Sequence, residues 1–508
     1  MRMWGWARIR RGALCALLGI GYYVSAGMAA PGALVETPPA VSAETLPRYQ
    51  EFIGEVVSDD EMTAEVVERL QYGAERQIAK NAAAVLAGLP EFSGAGYSPA
   101  QLEAAAFMSL QLQETENRTL NPKNTPTMAV RLRTRGWIYP VKVKAALDSR
   151  DLLDMTVNEI QANDSLNGQM VAALQTLKRK NPVAEREKLS RQLRQQEKEF
   201  QRNYWTLKGS RAILNAEYAQ AEELYTRSLE AGSDNSGILA MRGKARYYQG
   251  GYDRAILDYS AALARDGRNA LLYYYRGNAY YFLGQWEEAL ADYTAVLALE
   301  PGNAAAWYNR GNVYRKKEMK EQAIADYTAA LAINPNLTNA YANRGDIRSQ
   351  LQQWDAALAD YQEALKLEPG DPALLYSRGN LYSQQGNYDA AIADYSAVLA
   401  IDSRMAVAYQ NRGTAYLKKN ILVPAAADFE QALALEPHYA LAYYNKAVTL
   451  EKMTFAADAP PLDTVLRMRQ IIDAYRNFLQ YAAPNHPAAE RARERIKLLE
   501  SQTTVLDI

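Results

Sequence analysis

The sequence predicts a mainly α fold: an α-solenoid whose helix pairs form a right-handed superhelix, preceded by a small α+β domain. The first observation is an arginine followed by a glycine that returns every 34 residues. The pair stands at Arg242-Gly243, Arg276-Gly277, Arg310-Gly311, Arg344-Gly345, Arg378-Gly379 and Arg412-Gly413. The second observation is that residues 62–150 lack this period and mix helical with alternating patterns. A fixed period of this length indicates a repeat architecture.

The N-terminal residues 1–29 have the pattern of a signal peptide. Several arginines precede an apolar run from Ala13 to Val24, and small residues that suit cleavage follow near Ala29. The apolar run is shorter than the ~20 residues of a membrane-spanning helix. We therefore expect export to the periplasm or cell envelope, and the alternative is an inner-membrane anchor formed by residues 12–30.

Three segments are expected between the signal and the repeats. Residues 30–61, with several prolines and alanines, are predicted to be a linker. Residues 62–150 are the predicted α+β domain, with two helices and a hairpin that turns near Arg135-Gly136 into a strand at "YPVKVKAALD". This order resembles small domains of bacterial envelope lipoproteins and flagellar-assembly proteins. Residues 151–201 become increasingly charged, which favours a helical connector with a solvated face.

Seven units of 34 residues can be laid out from residue 202, and their small and aromatic positions recur. Position 8 is glycine and position 20 alanine in every unit, as closely packed antiparallel helices require, and position 24 is aromatic. These positions resemble the tetratricopeptide repeat family, which implies a protein-binding surface on the first helix of each unit. The predicted repeat region is residues 202–453, including an eighth first helix. Residues 454–508 are predicted to form an insertion and C-terminal capping helices.

The recurring arginine occupies position 7 of the repeat and has a recurring companion. Each of the six units that carry it also has aspartate at position 23, whereas the first unit has Lys208 and Leu224. On two antiparallel helices these positions lie at the same level, so we predict structural ion pairs within each unit. The predicted pairs are Arg242 with Asp258, Arg276 with Asp292, Arg310 with Asp326, Arg344 with Asp360, Arg378 with Asp394, and Arg412 with Asp428.

Positions 5, 6 and 9 of the first helices predict a peptide-binding row, because amides can hydrogen-bond a peptide backbone and tyrosines add flat apolar area. The asparagines are Asn309, Asn343, Asn411 and Asn445 at position 6, and Asn278, Asn312 and Asn380 at position 9. The tyrosines, at position 5, are Tyr274, Tyr308, Tyr376 and Tyr444. The row resembles the asparagine ladder in the repeat domain of the protein O-linked N-acetylglucosamine transferase. The alternative is that these polar residues are merely tolerated on a solvated face.

Composition and motifs exclude several functions. One cysteine and two histidines cannot build a zinc cluster or a Cys-His catalytic pair, and a net charge of −1 does not favour nucleic acid. No phosphate-binding loop or nucleophile elbow is present in a suitable context. The sequence therefore predicts no catalytic residue, no metal or other cofactor, no nucleic-acid partner and no small-molecule substrate.

The predicted function is a non-catalytic protein–protein interaction scaffold of the bacterial cell envelope that binds a peptide or protein on the concave face of the repeats. One alternative is a membrane-anchored assembly factor, and contact with the membrane depends on an uncleaved N-terminal segment. Another alternative is a regulatory or substrate-recruiting subunit whose α+β domain carries the activity or the binding site.

Overall fold

In the computed structural model, the residues described are 52–58, 64–120, 128–138, 140–177, 183–455, 464–483 and 485–506. The chain divides into two compact units, Met1–Pro301 and Gly302–Ile508. The predicted signal peptide and most of the predicted insertion lie outside the described residues. No helix in the described ranges combines the length and the apolar character needed to span a membrane.

Three strands of the first unit form an antiparallel sheet. They are β1 (Phe52–Ser58), β2 (Leu110–Leu120) and β3 (Met128–Ile138), in the order β1-β3-β2. The prediction of a turn near Arg135-Gly136 is wrong, because β3 passes through both residues and pairs with β2 along its length. Strand β1 falls within the predicted linker, and the domain boundaries stay predictions.

Residues 140–148 of the segment "YPVKVKAALD" form a helix and not a strand. Pro140 begins helix α4 (Pro140–Asp148), where the missing N–H of proline costs nothing. Val143, Ala146 and Leu147 are buried, at the spacing of one helical face. The alternation of valine and lysine at its start is too short to decide between the two structures.

The other helices of the first unit belong either to the N-terminal segment or to the repeats. The N-terminal segment and the connector contain α1 (Ala64–Leu86), α2 (Pro90–Ser93), α3 (Pro99–Ser109), α5 (Arg150–Leu177) and α6 (Val183–Leu214). The repeats continue with α7 (Tyr218–Glu230), α8 (Ser236–Tyr248), α9 (Tyr252–Leu263), α10 (Ala270–Phe282) and α11 (Trp286–Leu299).

One hydrophobic core joins the N-terminal helices to the first repeats. Tyr72 of α1 and Phe107 of α3 lie in the same buried cluster as Tyr204 of α6 and Tyr225 of α7. Helices α1 and α3 therefore do not enclose a core of their own. The fold class that follows is the coarser one, a mainly helical chain of repeated helix pairs.

The described residues of the second unit form helices joined by turns. These are α12 (Ala304–Lys316), α13 (Lys320–Ile333), α14 (Thr338–Gln350), α15 (Trp354–Leu367), α16 (Pro372–Gln384), α17 (Tyr388–Ile401), α18 (Ala406–Lys418), α19 (Leu422–Leu435), α20 (Ala440–Thr454), α21 (Thr464–Tyr481) and α22 (Ala489–Leu506). Consecutive helices pack as antiparallel pairs up to α19, and α20 pairs with α21. Ile471 and Phe478 of α21 bury against Ala447 of α20 and Leu499 of α22.

Repeat position 15, between the two helices of each pair, has positive φ. Glycine occupies this position in three helix pairs. In the other four, Ala216, Glu318, Gln352 and Asn420 adopt φ of 59 or 60° there. A side chain in this left-handed region is crowded by the backbone, which costs about 1–2 kcal/mol.

We expect Glu318→Gly to raise the free energy of unfolding by about 1 kcal/mol, because glycine adopts positive φ without crowding. Asn420→Gly is the control and should stabilise less, since asparagine tolerates this region better than other residues with a side chain. Chemical unfolding followed by circular dichroism measures both variants. An unchanged or lower unfolding midpoint in Glu318→Gly would contradict the strain argument.

Candidate interaction surface of the first helices

The arginine at position 7 of each repeat reaches the aspartate at position 23 on the paired helix. In the repeat formed by α10 and α11, Arg276 donates from Nε to Oδ2 of Asp292 at 2.8 Å and from Nη2 to Oδ1 at 2.7 Å. Asp292 is 4% exposed. The same bidentate geometry, with Nε and Nη2 of the arginine bound to the carboxylate, is present in all six predicted pairs. The structure thus brings every predicted arginine and aspartate together.

Each arginine also has neighbours that the sequence prediction missed. Arg310 lies over the ring of Trp307, with its Cζ 4.7 Å from the ring centroid. Arg276 donates from Nη1 to the hydroxyl of Ser260, which belongs to the preceding repeat, at 3.0 Å. Burial raises the pKa of the Asp292 carboxyl even though Arg276 binds it. These pairs therefore connect helices and repeats, and their charges are not free for a ligand.

The predicted row of asparagines and tyrosines is less exposed than a solvated face. Tyr274, Asn278, Asn309 and Asn312 are each at most 5% exposed. The other members are half-buried, namely Tyr308, Asn343, Tyr376, Asn380, Asn411, Tyr444 and Asn445. Burial requires hydrogen-bond partners for these amides, and the structure supplies them.

Tyrosines and amides form a hydrogen-bond chain along the first helices of the second unit. Tyr327 Oη donates to Asn312 Oδ1 at 2.7 Å. Asn343, one repeat later, donates from Nδ2 to the same Asn312 oxygen at 3.1 Å and to Tyr308 Oη at 3.2 Å. Both N–H groups of the Asn343 amide are therefore engaged within the protein.

The same hydrogen-bond pattern recurs two repeats further along the sequence. Asn411 donates from Nδ2 to Asn380 Oδ1 and to Tyr376 Oη, both at 2.9 Å, and Tyr395 Oη donates to Asn380 Oδ1 at 2.7 Å. These bonds give the row a structural role between adjacent repeats, which the sequence prediction did not include. Peptide binding by the same residues stays a prediction.

Comparison with protein-family models identifies the family of these repeats. Models described as tetratricopeptide repeat match residues 240–281 and 304–337, and a model described as TPR repeat matches 277–318, 345–386 and 379–420. Residues 240–420 are tetratricopeptide repeats. No curated protein matches the chain.

Several solved structures are similar to segments of this chain. YrrB, described as a TPR protein with an unusual peptide-binding site, is 28% identical, with 37% of this chain and 97% of that chain covered and a TM-score of 0.35. The MamA protein is 23% identical, with 38% and 100% covered and a TM-score of 0.33. A tetratricopeptide repeat protein from Parabacteroides merdae is 23% identical, with 49% and 99% covered and a TM-score of 0.37.

A pairing of positions 9 and 24 in the tetratricopeptide repeats went unnoticed in the sequence. Where position 24 is tyrosine, position 9 usually offers an acceptor, as Asp346 does for Tyr361 at 2.6 Å. In the last full unit position 24 is Phe429, which needs no acceptor, and position 9 is Thr414. Reading the two positions side by side across the units reveals this signal.

The described ranges contain no group of three or more histidine, cysteine, aspartate or glutamate side chains that could hold a metal ion. The buried aspartates at position 23 are instead bound by the arginines at position 7. The feature of the first helices that can meet a partner is therefore their half-buried polar and aromatic surface.

We expect Asn411→Ala to lower the free energy of unfolding by about 1–2 kcal/mol, because it removes two hydrogen bonds and leaves Asn380 and Tyr376 with fewer partners. This differs from the expectation for a solvated asparagine, whose replacement changes stability very little. Exposed Asn339, on α14, is the control for replacement by alanine. A thermal melt that gives equal shifts for both variants would contradict the structural role of Asn411.

Proposed function

We propose that the chain is a non-catalytic protein–protein interaction scaffold of the bacterial cell envelope, and that it binds a peptide or protein on the first-helix face of its tetratricopeptide repeats. The observation that carries this proposal is the half-buried row of amides and tyrosines, which presents adaptable polar groups and flat aromatic area at one level of successive helices. Aromatic residues of this kind are enriched at protein interfaces.

Rigidity of this row supports its use as a binding surface. The hydrogen bonds of Asn343 and Asn411 hold adjacent first helices in register. A surface whose side chains are already fixed loses less conformational entropy when a partner binds. In this proposal, the amide oxygens of Asn343 and Asn411 and the tyrosine rings meet the partner, whereas the N–H groups of the same two amides keep the repeats aligned.

Site-specific photo-crosslinking tests which face is used. A benzoylphenylalanine at Ser383, which shares the face of Tyr376 and Asn380 on α16, should crosslink a discrete partner in cells that express the full chain. The same probe at exposed Gln362 on α15 is the matched control. Equal crosslinking from both positions, or crosslinking from Gln362 alone, would show that the first-helix face is not the binding surface.

Envelope location rests on the N-terminal sequence and has a separate test. Deletion of residues 1–29 should keep the protein in the cytoplasm, whereas the full chain should fractionate with the periplasm or the envelope. Cytoplasmic recovery of both forms would overturn the location without affecting the interaction role.

A further inference from the structure

Five aromatic rings meet near the turns of two consecutive repeats, α8–α9 and α10–α11. Tyr252 stacks on Phe282, with the ring centroids 4.9 Å apart and the ring planes at 7°. Tyr247 contacts both of these rings, with centroid distances of 5.3 and 5.9 Å. Tyr281 contacts Phe282 at 6.0 Å and Trp286 at 5.2 Å. These five residues form one continuous set of ring contacts, here called the ring cluster.

The ring cluster is partly open to solvent. Phe282 is 45% exposed and the adjacent Leu283 is 44% exposed, while Tyr252, Tyr281 and Trp286 are half-buried. Lysine or glutamine replaces Phe282 in the next four repeats, at Lys316, Gln350, Gln384 and Lys418. The packing of a repeat therefore does not require a ring at this position. An exposed apolar patch that packing does not require indicates an interaction site.

An unpaired carboxylate follows one of these rings. Asp253, next to Tyr252 at the start of α9, is exposed, and within the described ranges it makes no hydrogen bond or ion pair. A later repeat shows which group can fill this place, because Asp389, the equivalent residue of α17, is bound by Lys419 Nζ of the following repeat. The residue equivalent to Lys419 is Leu283, which has no charge. The negative charge of Asp253 is therefore open to a cation from outside the chain.

The chain itself shows how one arginine uses a ring and a carboxylate together. The Arg310 Cζ lies 4.7 Å from the centroid of the Trp307 ring, while Arg310 Nε donates to Asp326 at 2.8 Å. A guanidinium is attracted by the face of an aromatic ring and binds a carboxylate with two parallel donors. Phe282 and Asp253 present the same two kinds of group to solvent.

We propose that the ring cluster and Asp253 bind an arginine side chain of a basic peptide segment. The exposed ring face meets the flat guanidinium, and the Asp253 carboxylate accepts its N–H groups. Glu287 and Glu288, which are exposed directly after Trp286, add negative charge that disfavours an acidic peptide or an anionic membrane. The inference rests on the proposed function, because it assigns a partner chemistry to the ends of the same first helices.

The experiment begins with a random decapeptide library displayed on messenger RNA and selected on the immobilised full chain and on its Asp253→Asn variant. We expect the full chain to enrich peptides with arginine at one place, and Asp253→Asn to lose that preference. Glu321→Gln is the matched control and should keep it. Glu321 has the repeat position of Asp253, but Lys320 and Gln350 stand where the stacked rings would be.

An enriched peptide is then labelled with fluorescein, and its Kd is measured by fluorescence anisotropy. Phe282→Leu should weaken binding about fivefold, because it removes the ring and keeps an apolar side chain. Asp253→Asn should weaken binding about threefold, as the loss of an exposed ion pair does. Replacing the peptide arginine by citrulline, which keeps the planar shape without the charge, should weaken binding about tenfold.

A cycle between the two changes tests the contact directly. Asp253→Asn should have no effect on the affinity of the citrulline peptide, because the guanidinium that the carboxylate binds is already missing. Equal weakening of the arginine and citrulline peptides by Asp253→Asn would overturn the contact between the carboxylate and the guanidinium. Asp253 is exposed, so Asp253→Asn should leave the thermal melt of the full chain unchanged.

The remaining outcomes separate this site from the scaffold function. Enriched peptides without an arginine preference, or an arginine peptide that binds Asp253→Asn as tightly as Glu321→Gln, would overturn the arginine site and leave the scaffold function intact. Sedimentation with phosphatidylcholine vesicles that Phe282→Leu abolishes would assign the rings to a membrane surface instead. If no peptide is enriched, the arginine site is overturned, whereas crosslinking from Ser383 still decides whether the first-helix face binds a partner.

Discussion

Asp394→Ala is expected to lower the free energy of unfolding by about 3 kcal/mol, because it leaves the half-buried guanidinium of Arg378 without its carboxylate. Arg378 donates to Asp394 from Nε at 2.8 Å and from Nη2 at 2.7 Å, and the aspartate is 6% exposed. The arginine also lies 5.8 Å from the Tyr382 ring centroid, so it cannot turn to water without losing this contact. Urea unfolding of the full chain, followed by circular dichroism, measures the change.

A double-mutant cycle isolates the pair from the effects of truncation. Arg378→Leu combined with Asp394→Ala should lose less stability than Asp394→Ala alone, because the double variant contains no unpaired buried charge. The exposed pair Arg227–Glu223 is the comparison, and Glu223→Ala should change stability by no more than about 0.5 kcal/mol. Additive losses for Arg378 and Asp394 would mean that the two side chains do not stabilise each other.

These ion pairs could be predicted because the same two residues occur together in several repeats of one chain. Arginine and aspartate occur together in six units and are absent together from the unit of Lys208 and Leu224. Antiparallel pairing places the two positions at one level, so the local geometry was sufficient. Contacts within a helix pair follow directly from the period of the sequence.

Contacts between adjacent repeats were harder to predict, because the pattern of one helix does not show what the next helix places beside it. Asn343 has the same sequence signature whether it faces water or donates to Asn312 and Tyr308. Its burial depends on how closely the first helices approach, which the repeat spacing does not specify. The sequence therefore placed these amides together on one helix face, but it did not show that they bond to one another between repeats.

The N-terminal region was the least predictable for a different physical reason. Its core is completed by residues distant in sequence, such as Tyr204 and Tyr225, which lie in one cluster with Tyr72 and Phe107. Glu75 is fully buried and bound by Arg211 at 2.7 Å, although the two are far apart in the chain. Local periodicity contains no information about such partners, so residues 62–150 resembled a self-contained domain.

Gly311 contacts the aromatic ring that fills its helix pair, and this contact leaves no space for a side chain. A Cβ at Gly311 would stand 2.9 Å from Tyr327 Cε1 and 3.3 Å from Asp326 Cβ. The ring cannot move aside easily, because it is fully buried and its hydroxyl donates to Asn312 at 2.7 Å. Alanine gains about 1 kcal/mol of helix propensity over glycine, which offsets part of the crowding.

Gly311→Val is therefore expected to lower the free energy of unfolding by about 3 kcal/mol, since overpacking dominates and valine gains little helix propensity. Gly302→Val is the control and should change stability by less than about 0.5 kcal/mol, because a Cβ at Gly302 meets nothing within 4 Å. Adding Tyr327→Leu to Gly311→Val should recover part of the loss, because the smaller side chain makes room for the valine. If Gly311→Val and Gly302→Val unfold at the same urea concentration, the helices are not held together by close packing at this glycine.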